Sequence, residues 1–412
     1  MKRYFETLMH NPNSLPISEH LTNTLIDRIR AGVYPLDDHF PSESELCKEF
    51  HVSRATVRTA LAALVAMGLL IKKAGVGSFL VPEAISILNG PPKIDYKIAL
   101  LMSGLMTDGG WNTQAYSGLD RLKTEGFQVA FSEMVTPFDF DNAIRKYAGG
   151  GIDLVIGHGW EFGESIIRLA PQYPQTKFFV TADWMNDNIP PNTQFFHPPS
   201  RYSGYMAGAL AALVSKTHVI GFVGGFDNPI QRSLGAAFQQ AAQDAVPGTK
   251  ALVNITGDFN DVKKGRLAAA SLIDNGADVI WHSADLTGLG AISGAVEGGA
   301  KVIGCYSDQT SMAYSSFLSS IYWDLDHVIH NRAHAALDGA FVGGCNWEPS
   351  FSDIYYFSAG GKDTPFVNIN VPAKDQFKLL DILNRLKDES IEVVQNNLAE
   401  QAWKENSYQE VE

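Results

Sequence analysis

Two groups of side chains in this sequence have types and spacings that can do chemistry. The first lies in FHVSRATVRTALAAL, residues 50–64, where Arg54 and Arg58 stand one helical turn apart among Ser53, Thr56 and Thr59. Guanidinium and hydroxyl groups at that spacing form one row of donors, suited to phosphate oxygens and base edges. The second group follows short apolar runs further on: Asp108, Trp111 and Asn112, then Trp160 with Phe162, Asp183 with Trp184, Asp258 to Asp261 around Phe259, Asp285 with Thr287, and Asp308 with Gln309. Aromatic rings stack on the faces of a flat polar heteroaromatic ligand, while carboxylates and amides hold its edge.

Other groupings carry less. His327, His330 and His334 share a helical face, but the sequence places no carboxylate or thiol to complete a metal set, so no metal is expected. GFVGGF and AGGGID lack the Lys-Ser/Thr of a phosphate loop and read as turns. Asp258 and Asp261 fit edge binding or helix capping better than acid–base work. No Gly-x-Ser-x-Gly or His-Glu-x-x-His occurs, so the chain reads as a non-enzyme without a cofactor.

Charge tells the two groups apart. The chain of 412 residues carries a formal net charge of -13, yet residues 1–92 hold nine basic and nine acidic side chains. All the acidity belongs to the larger part, which would repel a polyanion, so nucleic-acid contact must be confined to the N-terminal segment. Cys47, Cys305 and Cys345 are too few and too far apart for a disulfide framework or a zinc site. The basic pair Lys2–Arg3 has no apolar stretch after it, and no run of about eighteen apolar residues occurs, so a cytoplasmic protein without a membrane partner is expected.

The elements that must position the first group are legible. Leu21, Leu25, Ile26 and Ile29 make a helical stripe that Gly32 ends. In PSESEL, Ser42 and Glu45 form a capping box that starts a short helix near Glu43. Ser53 caps the next helix, with Val57, Leu61, Leu64 and Val65 inward and Ala55, Arg58, Thr59 and Ala62 outward, up to Gly68. That pair is a helix-turn-helix. LLIKKAGVGSFLV, with Lys72–Lys73 and a turn at Gly75 and Gly77, is a β-hairpin that completes a winged helix over 1–82.

The order PSESEL, FHVSRATVRTAL, MGLLIKKAGVGSFLV resembles the GntR-type winged helix across about seventy positions. The resemblance implies operator-DNA contacts from Ser42, Glu43, Arg54, Thr56, Arg58 and the wing glycines Gly75 and Gly77. Lys72–Lys73 stand where that family more often has an arginine, and lysine makes point-charge rather than forked contacts.

The segment 83–96, with Asn-Gly-Pro-Pro at its centre, reads as a linker. From Lys97 onward KIALLM, QVAFSEM, DLVIGHG, KFFVTAD, VIGFVGG, ALVNITG, DVIWHSA and KVIGCYS alternate with helical stretches, which predicts parallel sheets flanked by helices. The strands fall into two sets around SRYSGYMAGALAAL, hence two α/β lobes within 97–412, with a ligand cleft at the strand ends. The tail from Asp375 reads as a helix with Phe377, Leu380, Ile382 and Leu383 apolar.

TDGGWN, SKTHVIGFVGGFDNP, GDFNDVKKG, GADVIWHSADLTGLG and VIGCYSDQ resemble the basic-membrane-protein family of periplasmic-type receptors, which includes purine nucleoside receptors. The resemblance implies a periplasmic-binding-protein-like pair of lobes closing on a purine ring between Trp111 and Phe259, with Asp108 and Asn112 on its polar edge. Tyr306 stands where the family has an aspartate, and Trp323 where it has a lysine, both implied to hold sugar hydroxyls. Aromatic bulk at both places predicts a free purine base rather than a nucleoside.

The combined expectation is a homodimeric DNA-binding transcriptional regulator controlled by a small flat effector. A purine-processing enzyme with a DNA-binding arm, and a regulator that senses a nucleoside or a sugar, are the alternatives.

Overall fold

The computed structural model describes residues 16–36, 39–73, 76–89, 93–181, 187–362 and 366–394. Gly75 and Asp183, both named above, lie outside the described residues, as do Trp184 and the tail beyond 394. The chain divides into two compact units, Met1–Ile94 with Thr124–Gly126, and Asp95–Lys123 with Phe127–Glu412.

In the first unit the helix Ile17–Arg30 buries Leu21, Leu25 and Ile29. The capping box forms in both directions: Glu45 N donates to Ser42 Oγ at 3.3 Å, and Ser42 N donates to Glu45 Oε2 at 2.8 Å. The helix it starts, Glu43–Phe50, ends at His51 in the left-handed region with φ 54. Ser53 Oγ then accepts from Thr56 N at 3.1 Å and opens the helix Arg54–Ala66. Its buried face is Val57, Ala60, Leu61 and Leu64. Val65, expected inward, is 37% exposed. Eight residues beyond Val57, it has rotated about 80° off the stripe, and Ala60 takes the inward position.

Strands β1 (His39–Phe40), β2 (Leu70–Lys73) and β3 (Gly77–Leu80) pair antiparallel in the order β1-β3-β2 and form the wing. Gly77 has φ +143, and a Cβ there would lie 2.9 Å from His39 Nδ1, so only glycine suits the crossing. The segment 83–96 is not wholly extended. It contains the helix Ala84–Asn89, whose Ala84 joins the same core as Leu25 and Leu61.

The second unit holds β4 (Lys97–Met102), β5 (Gln128–Ser132), β6 (Leu154–His158), β7 (Lys177–Thr181), β8 (Thr193–Phe196), β9 (Val219–Gly224), β10 (Lys250–Ile255), β11 (Val279–Ser283), β12 (Lys301–Tyr306), β13 (Phe317–Trp323), β14 (Cys345–Trp347) and β15 (Tyr355–Phe357). They make two six-stranded sheets, in the orders β14-β8-β7-β6-β4-β5 and β10-β9-β11-β12-β13-β15. All pairings are parallel except β13 with β15. The two-lobe expectation stands, with one difference: the chain returns from the second lobe to lay β14 beside β8 in the first. Each lobe has its own core, around Val155, Phe178 and Phe195 in one and Ile280, Val302 and Phe317 in the other.

The C-terminal helix Ala373–Lys387 buries Leu379, Ile382 and Leu386 and packs along the helix Arg201–Val214. Phe377, read as part of the apolar face, is 74% exposed. The stripe that meets the lobe runs through Leu379, so Phe377 points away from it. Among the described residues, no helix is long and apolar enough to cross a membrane.

Candidate functional site

The winged unit presents its donors outward. Ser53, Arg54, Arg58 and Thr59 are exposed on the Arg54–Ala66 helix, Ser42 at the turn before Glu43, and Lys72 and Lys73 on β2. Thr56 and Glu43 are half-buried. The Ser53 and Thr56 hydroxyls bond each other at 2.8 Å, and Thr59 Oγ1 donates to Ala55 O at 3.1 Å, so these rotamers are fixed locally. Arg58 Nε donates to Glu43 Oε2 at 2.9 Å, which holds the guanidinium across the two helices. At 67% exposure of the arginine such a pair is worth roughly 0–1 kcal/mol, so the guanidinium is released from it at little cost. Lys73 Nζ lies 4.8 Å above the Phe79 ring, which turns the wing's charge along the hairpin.

In the second unit a cavity of about 530 Å³ opens between the two lobes, at the C-terminal ends of their strands. Trp111, Asn112, Trp160, Phe259, Asp285, Tyr306 and Trp323 line it, all named from the sequence. Asp108 does not. It is buried, and its carboxylate accepts from the backbone N–H groups of Gly110, Asn112 and Thr113 at 2.8, 2.9 and 3.0 Å. It also accepts from Asn112 Nδ2 at 2.8 Å, so it positions Asn112 rather than meeting a ligand. Asp308 is exposed outside the cavity, where Oδ1 accepts from Thr310 N at 3.1 Å and shapes a turn. Phe162 is wholly buried in the first lobe's core, and Thr287 Oγ1 is occupied as the acceptor for Asp261 N at 2.9 Å.

The aromatic walls are built in layers. Trp111 stacks on His158, with centroids 4.4 Å apart and planes 17° apart. His158 Nε2 meets Trp111 O at 3.1 Å and Nδ1 meets Thr181 Oγ1 at 2.7 Å, a pattern satisfied by an Nε2–H imidazole. Burial pushes His158 down to about 4, so the neutral ring backs the indole at physiological pH. From the other lobe, Tyr306 and Trp323 meet Trp111 edge-on at 5.7 and 5.9 Å. Trp160 and Phe226 lie parallel across the cleft at 6.2 Å. The Phe259 ring lies where a Cβ on Gly225 would be, 2.1 Å from its Cε1, so this turn needs glycine to admit the ring.

Two strand ends are conformationally unusual. Asp285 has φ +45 and Tyr306 φ +69, and both side chains line the cavity. Non-glycine residues in that region cost of order 1–3 kcal/mol and gather at functional sites. The Tyr306 hydroxyl is tied to Ser283 Oγ at 2.8 Å. Burial, with the Asp108 and Glu161 carboxylates adding to it, holds the Asp285 carboxyl well above the usual carboxylate range. Burial likewise raises Glu161, which accepts a hydrogen bond from Ser103 Oγ. Three sequestered atoms on lining residues have no protein partner: Asn112 Oδ1, Asp285 Oδ1 and Trp323 Nε1.

Sequence reasoning missed Ser103, Glu161, Phe226 and Gln231, which also line the cavity. Glu161 and Phe226 follow β6 and β9 within three residues, so the strand-end rule that found Trp160 reaches them too. The paired carboxylates divide their work. Asp261 caps the helix Val262–Asp274 through Lys263 N and Lys264 N, while Asp258 lines the cavity and pairs with Lys264 Nζ at 3.1 Å. Of the three histidines, His330 and His334 have rings 4.5 Å apart, one helical turn from each other.

Comparison with known proteins gives two family matches. Residues 96–349 match the family described as ABC transporter substrate-binding protein PnrA-like, and residues 17–80 match bacterial regulatory proteins of the gntR family. Basic membrane protein A2 of Borrelia garinii subsp. bavariensis is 28% identical over 244 residues, covering 58% of this chain and 71% of that protein. The CD4+ T-cell-stimulating antigen of Listeria monocytogenes is 24% identical over 322 residues, covering 72% and 88%. A solute-binding protein of an ABC transporter system from Conexibacter woesei superposes with TM-score 0.60 at 25% identity, covering 73% of this chain and 99% of that one. A transcriptional activator of the comK gene from Bacillus halodurans shares the fold, with TM-score 0.59 at 22% identity over 70% and 96%.

Proposed function

This chain belongs to the PnrA-like substrate-binding family and carries a gntR-family regulatory domain, and we propose that it is a transcriptional regulator whose operator affinity is set by a purine base bound between the lobes. The coarser part, a DNA-binding domain joined to a ligand-binding domain, rests on those two families. The finer part is supported by the aromatic cavity: its volume falls within the roughly 300–1,000 Å³ of small-molecule sites. Trp111 and Phe259 offer ring faces, while Asn112 Oδ1 and Trp323 Nε1 offer an acceptor and a donor for a ring edge. Tyr306 and Trp323 add two more rings beside Trp111, which favours a base over a nucleoside whose hydroxyls need polar partners.

The proposed DNA-reading residues are Ser42, Glu43, Ser53, Arg54, Thr56, Arg58 and Thr59, with Lys72, Lys73 and the wing turn at Gly75 and Gly77 on the backbone. Two copies, hence a homodimer, are proposed because one short reading helix binds weakly and paired half-sites multiply the affinity. Coupling is by linkage: a ligand that changes operator affinity has its own affinity changed by operator DNA to the same factor. No catalytic step, cofactor or membrane enters this reading, and the protein acts in the cytoplasm.

The test uses the full-length protein. Operator binding is measured by fluorescence anisotropy on duplexes from its own promoter region, with and without adenine, guanine, hypoxanthine and their nucleosides. The reading requires sequence-selective binding that a free base shifts. Failure of every duplex, or a shift by nucleosides alone, ends the regulator reading or the base reading respectively.

A further inference from the structure

The polar groups facing the cavity are unbalanced. Glu161, Asp258 and Asp285 line it, and among the described residues no lysine, arginine or histidine does. Asp258 is answered from outside the cavity by Lys264, but neither Glu161 nor Asp285 has a cationic partner. Glu161 accepts from Ser103 Oγ and from its own backbone N–H, and Asp285 Oδ1 accepts from no protein group. The Asn112 amide spends its Nδ2 on Asp108, which leaves its Oδ1 without a protein partner. Among these three sequestered atoms two are acceptors and one, Trp323 Nε1, is a donor. Around the same space stand the faces and edges of Trp111, Trp160, Phe259, Tyr306 and Trp323. Aromatic faces with carboxyls between them attract positive charge, and a desolvated cavity strengthens that attraction. The same arrangement repels phosphate and carboxylate ligands.

We propose that the effector is bound as a cation: a flat heteroaromatic ring with a fixed or acquired positive charge, seated between the cavity's aromatic walls and neutralised by Asp285, with Glu161 beside it. This rests on the flat-ring reading above and narrows it to one charge class. Asp285 stands at the N-terminal residue of the helix Asp285–Glu297, in a left-handed conformation that brings its carboxyl to the cavity. The titratable groups around it are Asp108, Glu161, Cys305 and Tyr306, none of which is basic. Burial first, and then Asp108 and Glu161, shift this carboxyl towards its protonated form in the empty site. An arriving cation stabilises the carboxylate, and the proton lost from Asp285 leaves to solvent, so a fixed-charge ligand binds with net proton release. His158, behind Trp111, is already neutral and does not take that proton.

The test is calorimetry on the full-length protein at pH 7, in two buffers of different ionisation heat. The probes are nicotinamide and 1-methylnicotinamide, flat rings of nearly equal shape that differ by one fixed charge, together with adenine, guanine and hypoxanthine. The cation is expected to bind at least about tenfold tighter than nicotinamide, with net proton release. Asp285→Asn, checked for folding by circular dichroism, should reduce that preference to under about threefold and remove the proton release. Glu161→Gln should reduce the preference less, and it serves if the first variant does not fold. Neutral purines that bind while 1-methylnicotinamide does not overturn the charge assignment and leave the regulator reading standing. A site that accepts no flat ring of either charge overturns both.

Discussion

The two polar surfaces of this molecule are solved in opposite ways. The winged helix keeps Arg54, Arg58, Lys72 and Lys73 in water, where charge costs little to hold, and fixes them with short-range caps and one exposed ion pair. The inter-lobe cavity takes carboxyls out of water, holds two strand ends at positive φ and leaves polar atoms unsatisfied. The first surface can meet a polyanion of any sequence and needs only a few directed groups to choose among them. The second is held at a cost that a ligand recovers, so it tolerates few shapes and charges.

The comparison breaks most visibly at the core of the winged unit. Leu64 is wholly buried there beside Leu21, Leu25 and Leu61. Leu64→Ala should cost about 2–5 kcal/mol of that unit's stability and abolish operator binding at moderate temperature. Calorimetric melting should show the loss in one transition, with purine binding unchanged. A fall in ligand affinity of similar size would mean that the two surfaces do not act as separate devices.

Arg58 comes next. Arg58→Ala is expected to weaken operator binding by about 1–3 kcal/mol while leaving thermal stability within about 0.5 kcal/mol. Anisotropy titrations across a salt series check it. An effect confined to the salt slope would assign Arg58 to phosphates and leave base reading to Arg54 and Thr56.

These surfaces were not equally legible in the sequence. The winged unit is made of local rules: Ser42 with Glu45, Ser53 with Thr56, and a stripe whose period sets the buried face. Val65 and Phe377 were misread because each lies at the margin of a stripe, where one residue of helical rotation decides burial. In the larger unit, β-branched runs marked the strands and strand ends marked the cavity, so Trp111, Phe259 and Asp285 were found. What escaped depends on non-local meeting. Ser103, just past β4, bonds Glu161, just past β6, and His158 at the end of β6 backs Trp111 at the start of the helix Trp111–Glu125. Asp108 and Asp308 were over-read for the converse reason: a carboxylate near a loop is often consumed by the backbone beside it, and both are.

The cavity side is tested by a gain rather than a loss. Burial raises the folded Asp285 carboxyl above its unfolded value, so as pH rises above the ordinary carboxylate range the unfolded state is increasingly favoured. Stability from this group is therefore greatest near pH 4 and declines as pH rises. Asp285→Asn removes the effect, and asparagine tolerates left-handed backbone. The variant should be more stable than the parent by about 0.5–2 kcal/mol at pH 7, with the difference closing towards pH 4, while ligand affinity falls. His158 and His282, both pushed down to about 4, act in the opposite direction in parent and variant alike, because stability from a buried neutral histidine is lost as pH falls from about 6.5 towards 4. Denaturation melts at several pH values separate the two. Equal stability of parent and variant at every pH would mean that Asp285 is not strained in the empty site.

The smallest expected effect concerns Glu43, the carboxylate that holds Arg58 on the exposed side. Because the pair is mostly solvated, Glu43→Gln should change folding stability by no more than about 1 kcal/mol. Its effect on operator binding separates two roles. If Glu43 only aims Arg58, the substitution weakens binding less than Arg58→Ala does, and adds nothing in the Arg58→Ala background, so the double-mutant cycle shows coupling equal to the whole single effect. If Glu43 itself accepts from a base, its loss persists without Arg58 and specificity relaxes at one position of the operator. The exposed surface would then read sequence with an acid as well as with its bases, and the contrast with the cavity would lie in solvation alone, since both surfaces would use carboxyls.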